Sequence, residues 1–297
     1  MMSAPMISDA STFSPEAWWK DLPCTWQEIF LINLALSQKL ARDKLRTLQT
    51  LRQYYYASPP VIYWQLYNQD FVLPSEPPNT ETLTEILGLT EILCQYTAIE
   101  DLQALAPLTQ LKFLFCHSTA VQSLVPLSKA RSLKTLNCAQ TAVCDLEPLR
   151  TCTQLETLIA NDTPVKDLKP LHNLRKLQTL FLEKTAVQDL RPLARLKQLQ
   201  QLNLSFTRVQ DLEPLREIQS LVLLKAGFTP VQNLSPLEAL PLLERLYLWA
   251  TPIQDLSPLF HLPKLYKVFI PLCNKLSLAQ ISALQKHLHQ GQVITEA

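Results

Sequence analysis

Glycine is almost absent from this chain, with 3 in 297 residues. Phosphate-binding loops need several glycines where the backbone approaches a ligand, and neither GxGxxG nor GxxxxGK[ST] occurs. Charge is sparse too, at 18% of residues and a formal net charge of +1, so no global field favours nucleic acid or a membrane surface. The longest apolar run, 29–36, is interrupted by Asn33 and is too short to span a bilayer. The start, MMSAPMISDASTFSPEAWW, has no basic stretch leading into an apolar run and is not expected to be a signal peptide. The seven cysteines contain no CxxC pair, so a zinc site is not expected. Together these features point to a reducing, cytoplasmic setting, with leaderless secretion as the alternative.

Catalytic constellations are missing as well. HExxH, GxSxG and paired-carboxylate motifs do not occur. His287 and His289 are two apart on an expected helix and face different directions. Cys273 is close to His261 in sequence only. The expectation is a protein that is not an enzyme and carries no cofactor and no metal.

What the chain does have is a repeat. Residues 163–184 read TPVKDLKPLHNLRKLQTLFLEK, and 185–206 read TAVQDLRPLARLKQLQQLNLSF. A slide of 22 residues superposes Thr, Val, Asp-Leu, Pro-Leu and then leucines. The openings are Thr97, Thr119, Thr141, Thr163, Thr185, Thr207, Thr229 and Thr251. A fixed period in this range means a solenoid, in which no unit buries its apolar face alone.

The pattern has a physical reading. Leu180 and Leu182 alternate with Thr179 and Phe181, the period of a strand. Stacked units then form a parallel sheet, and Val165, Leu168, Leu171, Leu174 and Leu177 fill the coil. Cys94, Cys116 and Cys138 share a position where later units carry Ala160, Leu182 and Leu204, so they are expected inside. Asp101, Asp145, Asp167, Asp189, Asp211 and Asp255 form a column, with Ser123 and Asn233 as substitutes. These are helix-capping residues, and a proline follows three positions later in most units, so each return path is expected to be one short 3₁₀ turn. A calcium site would also use aspartates, but capping needs no ion and accounts for the Ser and Asn.

This unit resembles the short leucine-rich repeat of bacterial internalins and is similar to units in the leucine-rich regulatory subunit of protein phosphatase 1. The resemblance implies an α/β fold: a right-handed leucine-rich repeat solenoid with parallel strands on the concave face and 3₁₀ turns on the convex face. It also implies recognition roles, such as host-factor binding or regulation of a phosphatase. The export signal and surface anchor of internalins are not seen here, which favours a cytoplasmic partner.

The expected organisation is a helical N-terminal cap region over 1–74, a repeat array over 75–272 and a small α/β C-terminal cap over 273–297. Residues 1–13 read as a tail, and Ser14-Pro15-Glu16 as a helix start. Thr25-Trp26-Gln27-Glu28 has capping-box spacing before IFLINLALSQKL, and a further helix is expected over 42–53. Trp18, Trp19 and Trp26 are expected to pack these helices together. The aromatic stretch 54–72 could be an extra edge strand or a contact surface. An imperfect unit over 76–96 leads the array. At the far end Ser277–Gln280 has capping-box spacing, Leu278, Ile281, Leu284 and Leu288 are read as one face, and a last strand is expected over 292–294.

The candidate site is the outward side of the strands. Phe113, Phe115, Phe181, Tyr247, Trp249 and Phe269 fall at outward positions where the coil itself needs no aromatic. Arg245 and Lys267 add charge beside Tyr247 and Trp249. Exposed aromatics on a preformed surface point to a docking patch. The expected function is a non-enzymatic protein-recognition scaffold, monomeric, with a protein partner and without nucleic acid or membrane contact. The alternatives are a targeting or regulatory subunit of an enzyme such as a phosphatase, and a nucleic-acid-binding solenoid, the latter because basic residues crowd 166–197.

Overall fold

The computed structural model describes residues 13–42, 77–288 and 291–296. The tail, the helix expected over 42–53, the aromatic stretch 54–72 and the boundary at 74 lie almost wholly outside the described residues, as does His289. The chain divides into two compact units, 1–93 and 94–297.

In the first unit, α1 (Pro15–Asp21) starts as expected, with Ser14 Oγ accepting from Ala17 N at 3.2 Å and Pro15 in the first turn. Helix α2 (Cys24–Arg42) corrects the capping-box expectation at Thr25. The helix already begins at Cys24, because the Pro23 carbonyl accepts from Trp26 N at 2.9 Å and Gln27 N at 3.2 Å. Thr25 is therefore inside the first turn. Trp18 and Trp26 pack on Phe30 with ring centroids at 5.3 and 5.5 Å, and Trp19 and Phe30 are buried, which is the packing role expected of the tryptophans. Helix α3 (Thr80–Leu87) is capped by Asn79 and leads to β1 (Glu91–Leu93). The Asn33 side chain serves both backbone groups of Leu93, donating to its carbonyl at 3.0 Å and accepting from its N–H at 2.9 Å. A strand edge with unpaired groups is a template for other chains, and this amide closes part of it.

The second unit is a stack of coils. Strands β2 (Phe113–Phe115), β3 (Thr135–Asn137), β4 (Thr157–Ile159), β5 (Thr179–Phe181), β6 (Gln201–Asn203), β7 (Leu223–Lys225), β8 (Arg245–Tyr247) and β9 (Lys267–Phe269) pair in parallel in sequence order. Each residue pairs with the one 22 positions on, as in Phe113↔Thr135 and Thr179↔Gln201. The return paths are 3₁₀ turns, from Val125–Lys129 through Ser257–His261, preceded by a shorter one at Gln103–Leu105 where Ala104 replaces proline. Within one coil Leu168, Leu171, Leu174, Leu177, Leu180 and Leu182 are at most 1% exposed. At about 1.5–3 kcal/mol for each buried leucine, this ladder dominates the stability of a coil.

Two polar columns finish each coil. Every opening threonine is a clamp: Oγ1 of Thr119, Thr163, Thr207 and their equivalents donates to the carbonyl three residues earlier at 2.6–2.7 Å. The aspartate column works one step earlier than a formal cap. Asp145, Asp167, Asp189, Asp211 and Asp255 accept from the N–H two residues on at 2.8–2.9 Å, and a leucine is the N-cap. Ser123 and Asn233 accept in the same way, so the substitutes serve the same turn.

Helix α4 (Leu278–His287) carries the expected Ser277–Gln280 capping box and is followed by β10 (Gln292–Ile294). Strand β10 pairs with β9 through Gln292↔Lys267, a separation of 25 because the helix replaces a repeat. The one-face reading of the helix needs correction at Leu278, which is 81% exposed while Leu284 is buried. At about 100° per residue Leu278 lies about 120° round the helix from Leu284, outside the packed stripe. Gln285 closes the outer edge of β10, donating to Gly291 O at 3.0 Å and accepting from Val293 N at 2.7 Å. Asn33 and Gln285 thus perform the same task on β1 and β10.

The threonine clamp is testable. Thr207→Val keeps the shape but leaves the Leu204 carbonyl without its 2.6 Å donor in a buried place. The expected loss is about 1–3 kcal/mol in chemical denaturation, and an unchanged midpoint would show that the clamp is not structural.

Candidate protein-docking face

The outward strand positions are less open than a simple in–out alternation predicts. Phe113, Phe181, Arg245, Tyr247, Trp249, Lys267 and Phe269 are half-buried. Phe115 corrects the expectation of an exposed aromatic, with 8% of its surface accessible. Asn137 and Asn203 occupy the same column and are as closed. Neighbouring strands stand about 4.8 Å apart, so side chains in one column shield each other.

The structure brings part of the expected set together and leaves the rest apart. Tyr247, Trp249 and Phe269 form one cluster, with ring centroids 5.8 Å apart for Tyr247–Phe269 and 6.1 Å for Trp249–Phe269. Lys267 joins it, its Nζ 5.8 Å from the Tyr247 ring centre, and Lys225 approaches the same ring at 5.5 Å. Arg245 pairs in register with Lys267, and its Nε is buried without a hydrogen-bond partner. Phe113, Phe115 and Phe181 belong to strands β2 and β5, outside this cluster.

Two members were not foreseen, Phe206 and Phe228. They stack face to face at 4.4 Å and 10°, and Trp249 meets both edge-on at 6.3 Å. Both stay exposed, at 39% and 45%. They sit at the residue just before each opening threonine, and this position has positive φ in every coil, from Tyr96 (61°) to Leu272 (62°). Glycine or asparagine usually fills such a position, and none occurs there. The conformation is imposed from outside: Phe206 N donates to Gly227 O and Phe228 N to Trp249 O, both at 2.8 Å. The column is polar or charged at Ser118, Gln140, Asp162 and Lys184 and then turns apolar at Phe206, Phe228, Ala250 and Leu272. That switch is visible in the sequence once the column is known to point outward.

Gly227 explains how the indole fits. A Cβ there would overlap Cδ2, Cε2 and Cε3 of Trp249, so the ring lies against the bare backbone of the preceding coil. Of the glycines in the chain, this one is required by a close approach and not by a turn.

At the other end of the array the site chemistry is different. His117 is half-buried, its Nδ1 has no partner, and the Tyr96 ring meets it edge-on at 5.1 Å. Burial lowers its pKa from 6.5 to about 4. Beneath it Cys94, Cys116 and Cys138 are fully buried, and burial pushes the Cys138 thiol up to about 12, so these thiols are inert packing. Cys273 is also buried, with Sγ donating to Leu248 O at 3.1 Å, and is not beside a histidine partner in the way a nucleophile would require. Among the described residues no cluster of three or more metal-ligating side chains forms.

The basic crowd over 166–197 is partly neutralised. Arg191 forms a two-pronged pair with Asp189, which lowers the pKa of that carboxyl, and Lys197 Nζ reaches Glu217 at 2.9 Å. A hollow of about 390 Å³ lies among the 3₁₀ turns, lined by residues including Glu147, Arg150, Lys169 and His172. Its charges are engaged locally, by the Glu147–Arg150 pair at 3.2 Å and by His172 Nδ1 against Lys169 O at 2.9 Å.

A family model described as Leucine Rich repeats (2 copies) matches residues 175–217. The chain is a leucine-rich repeat protein, and its repeats are internalin-like. No curated protein matches it significantly. The internalin inlF of Listeria monocytogenes superposes with a TM-score of 0.60 at 24% identity, over 72% of this chain and 68% of that one. Internalin C2 of the same organism gives 0.60 at 26% identity, over 64% and 83%. A leucine-rich repeat protein of Leptospira interrogans gives 0.66 at 18%, over 72% of this chain and 56% of that one, which is likeness of fold. Leucine-rich repeat folds of this kind serve in general as protein-interaction scaffolds. Among the described residues no helix is long and apolar enough to cross a membrane.

Two tests follow from the geometry. Gly227→Ala should cost about 1–3 kcal/mol by displacing the indole, and Trp249→Ala in the same chain should remove most of that penalty. Additive losses in that double-mutant cycle would mean the ring does not rest on Gly227. Because the folded His117 binds its proton more weakly than the unfolded one, stability should fall as pH drops from 6.5 towards about 4. His117→Gln should flatten that slope in urea titrations across the window, and an unaltered slope would assign it to other groups.

Proposed function

We propose that the protein is a non-enzymatic recognition scaffold that docks a protein partner on its strand face, at the cluster of Phe206, Phe228, Tyr247, Trp249 and Phe269. One observation carries the reading. Two phenylalanines stand exposed, stacked on each other, at a backbone position where a bulky side chain costs about 1 kcal/mol or more. Folding gains little from them, since an aromatic pair adds only about 0.5–1.5 kcal/mol. Their benefit is better placed in a complex, where aromatic anchors dominate binding energy.

The mechanism is rigid presentation. The ladder fixes the side chains before the partner arrives, so little conformational entropy is lost on docking. Phe113, Phe115 and Phe181 are not needed for this patch and fit a secondary role along the same face. The reading places the protein as a monomer in the cytoplasm, which the seven free thiols support.

A displayed peptide library panned against the full chain tests it. Enriched binders should lose at least about tenfold in affinity for Phe228→Asn and for the Tyr247→Ala/Trp249→Ala pair. The Phe228→Asn chain should melt within about 1 kcal/mol of wild type, because relief of strain offsets the lost stacking. Binders indifferent to both variants would move the site elsewhere, and a large stability loss would make the cluster part of the core.

A further inference from the structure

Around Tyr247 the strand face carries charge of one sign. The outward positions from β6 to β9 are Gln201, Asn203, Leu223, Lys225, Arg245, Tyr247, Lys267 and Phe269, three cations and no carboxylate. The ion pairs of the described residues lie elsewhere, at Lys134, Arg150, Arg191, Lys197 and Arg216. Glu183, the acid at the next outward position of β5's coil, is held by Asn203 Nδ2 at 3.0 Å. Lys225 and Lys267 therefore sit within 5.5 and 5.8 Å of one phenol ring, facing each other across it with no anion between. Arg245 adds a third cation whose Nε has no acceptor. Like charges this close repel, and the free protein leaves that repulsion to solvent screening.

We infer that the docking partner is an acidic protein segment that carries an aliphatic anchor, its carboxylates received by Lys225, Arg245 and Lys267 and its anchor by the Phe206–Phe228–Trp249 ridge. This rests on the docking reading above and adds the partner's chemistry to it. Apolar and cationic surfaces adjoin through Tyr247, so a segment with an apolar residue a few positions from its acids can meet both at once. Carboxylates at this place relieve the repulsion of the cations and give the Arg245 fork an acceptor.

Single-stranded nucleic acid is the competing occupant for any surface that mixes bases and aromatics, but it needs free ring faces. Here the faces are taken: Phe206 and Phe228 cover each other, and Trp249 lies on Gly227. What is left outward is edges and rims, which suit aliphatic contact.

The test uses the full chain and four labelled probes read by fluorescence anisotropy at low and physiological salt. The probes are equal-length peptides of Glu/Leu, Lys/Leu and Glu/Ser composition, and an oligothymidylate. The Glu/Leu peptide should bind at least about tenfold more tightly than the other three and weaken with salt. Lys225→Glu with Lys267→Glu should invert the preference towards the Lys/Leu peptide, and Lys225→Gln with Lys267→Gln should abolish it. Circular dichroism of both pairs establishes that the fold is kept. Equal affinity for Glu/Leu and Lys/Leu, no peptide binding, a preference that survives the charge changes, or tightest binding of oligothymidylate would each overturn the inference. If peptides enriched from the library depend on Phe228 yet carry no acids, the docking face stands and the acidic partner falls. If they do not depend on Phe228, both fall.

Discussion

The hydrogen bond that passes from one coil to the next just beyond each strand governs the second unit. Phe206 N to Gly227 O and Phe228 N to Trp249 O continue the sheet ladder by one more step. To make that bond the chain must turn at positive φ, and it does so in all coils without the help of glycine. The turn delivers the threonine inward, where its hydroxyl closes the strand carbonyl, and throws the residue before it outward. The direction of every side chain on the strand face follows from this step. A column that would be a liability in an isolated turn becomes a rigid outward row because the stack over-determines it.

Rigidity is then available for recognition. In the last coils the outward row becomes apolar, and Gly227 opens the space in which the Trp249 indole lies against backbone. The aromatic ridge and the cationic ring around Tyr247 adjoin because they occupy neighbouring columns of the same strands. No loop has to close and no helix has to move for the two to act together. The hydroxyl and carboxylate columns on the opposite side of the coil have the contrasting task of ending turns, and their side chains are committed to backbone N–H groups.

A stack of parallel strands has two ends with unpaired backbone groups. Asn33 on β1 and Gln285 on β10 each take one donor and one acceptor from an edge. A single amide matches the spacing of a strand's outward N–H and C=O, so one side chain does what a further strand would do. This is economical negative selection against edge pairing, and it leaves the strand face as the surface where contact with other chains can be specific.

The sequence alone determined the period, the inward leucines and the 3₁₀ turns, since those depend on residue types at a fixed spacing. It also marked Tyr247, Trp249 and Phe269, because alternation in a strand tells in from out. It did not mark Phe206 and Phe228, although the column they stand in is legible as letters. Their direction depends on a backbone conformation that neither residue favours and that hydrogen bonds from a neighbouring coil enforce. In the same way Phe115 lies at an outward position yet is buried, and Thr25 matches a capping box yet sits inside a helix. Local pattern sets which residues a strand or turn can hold. Which of them meet, and which remain in water, was decided by the stacking of segments far apart in the chain.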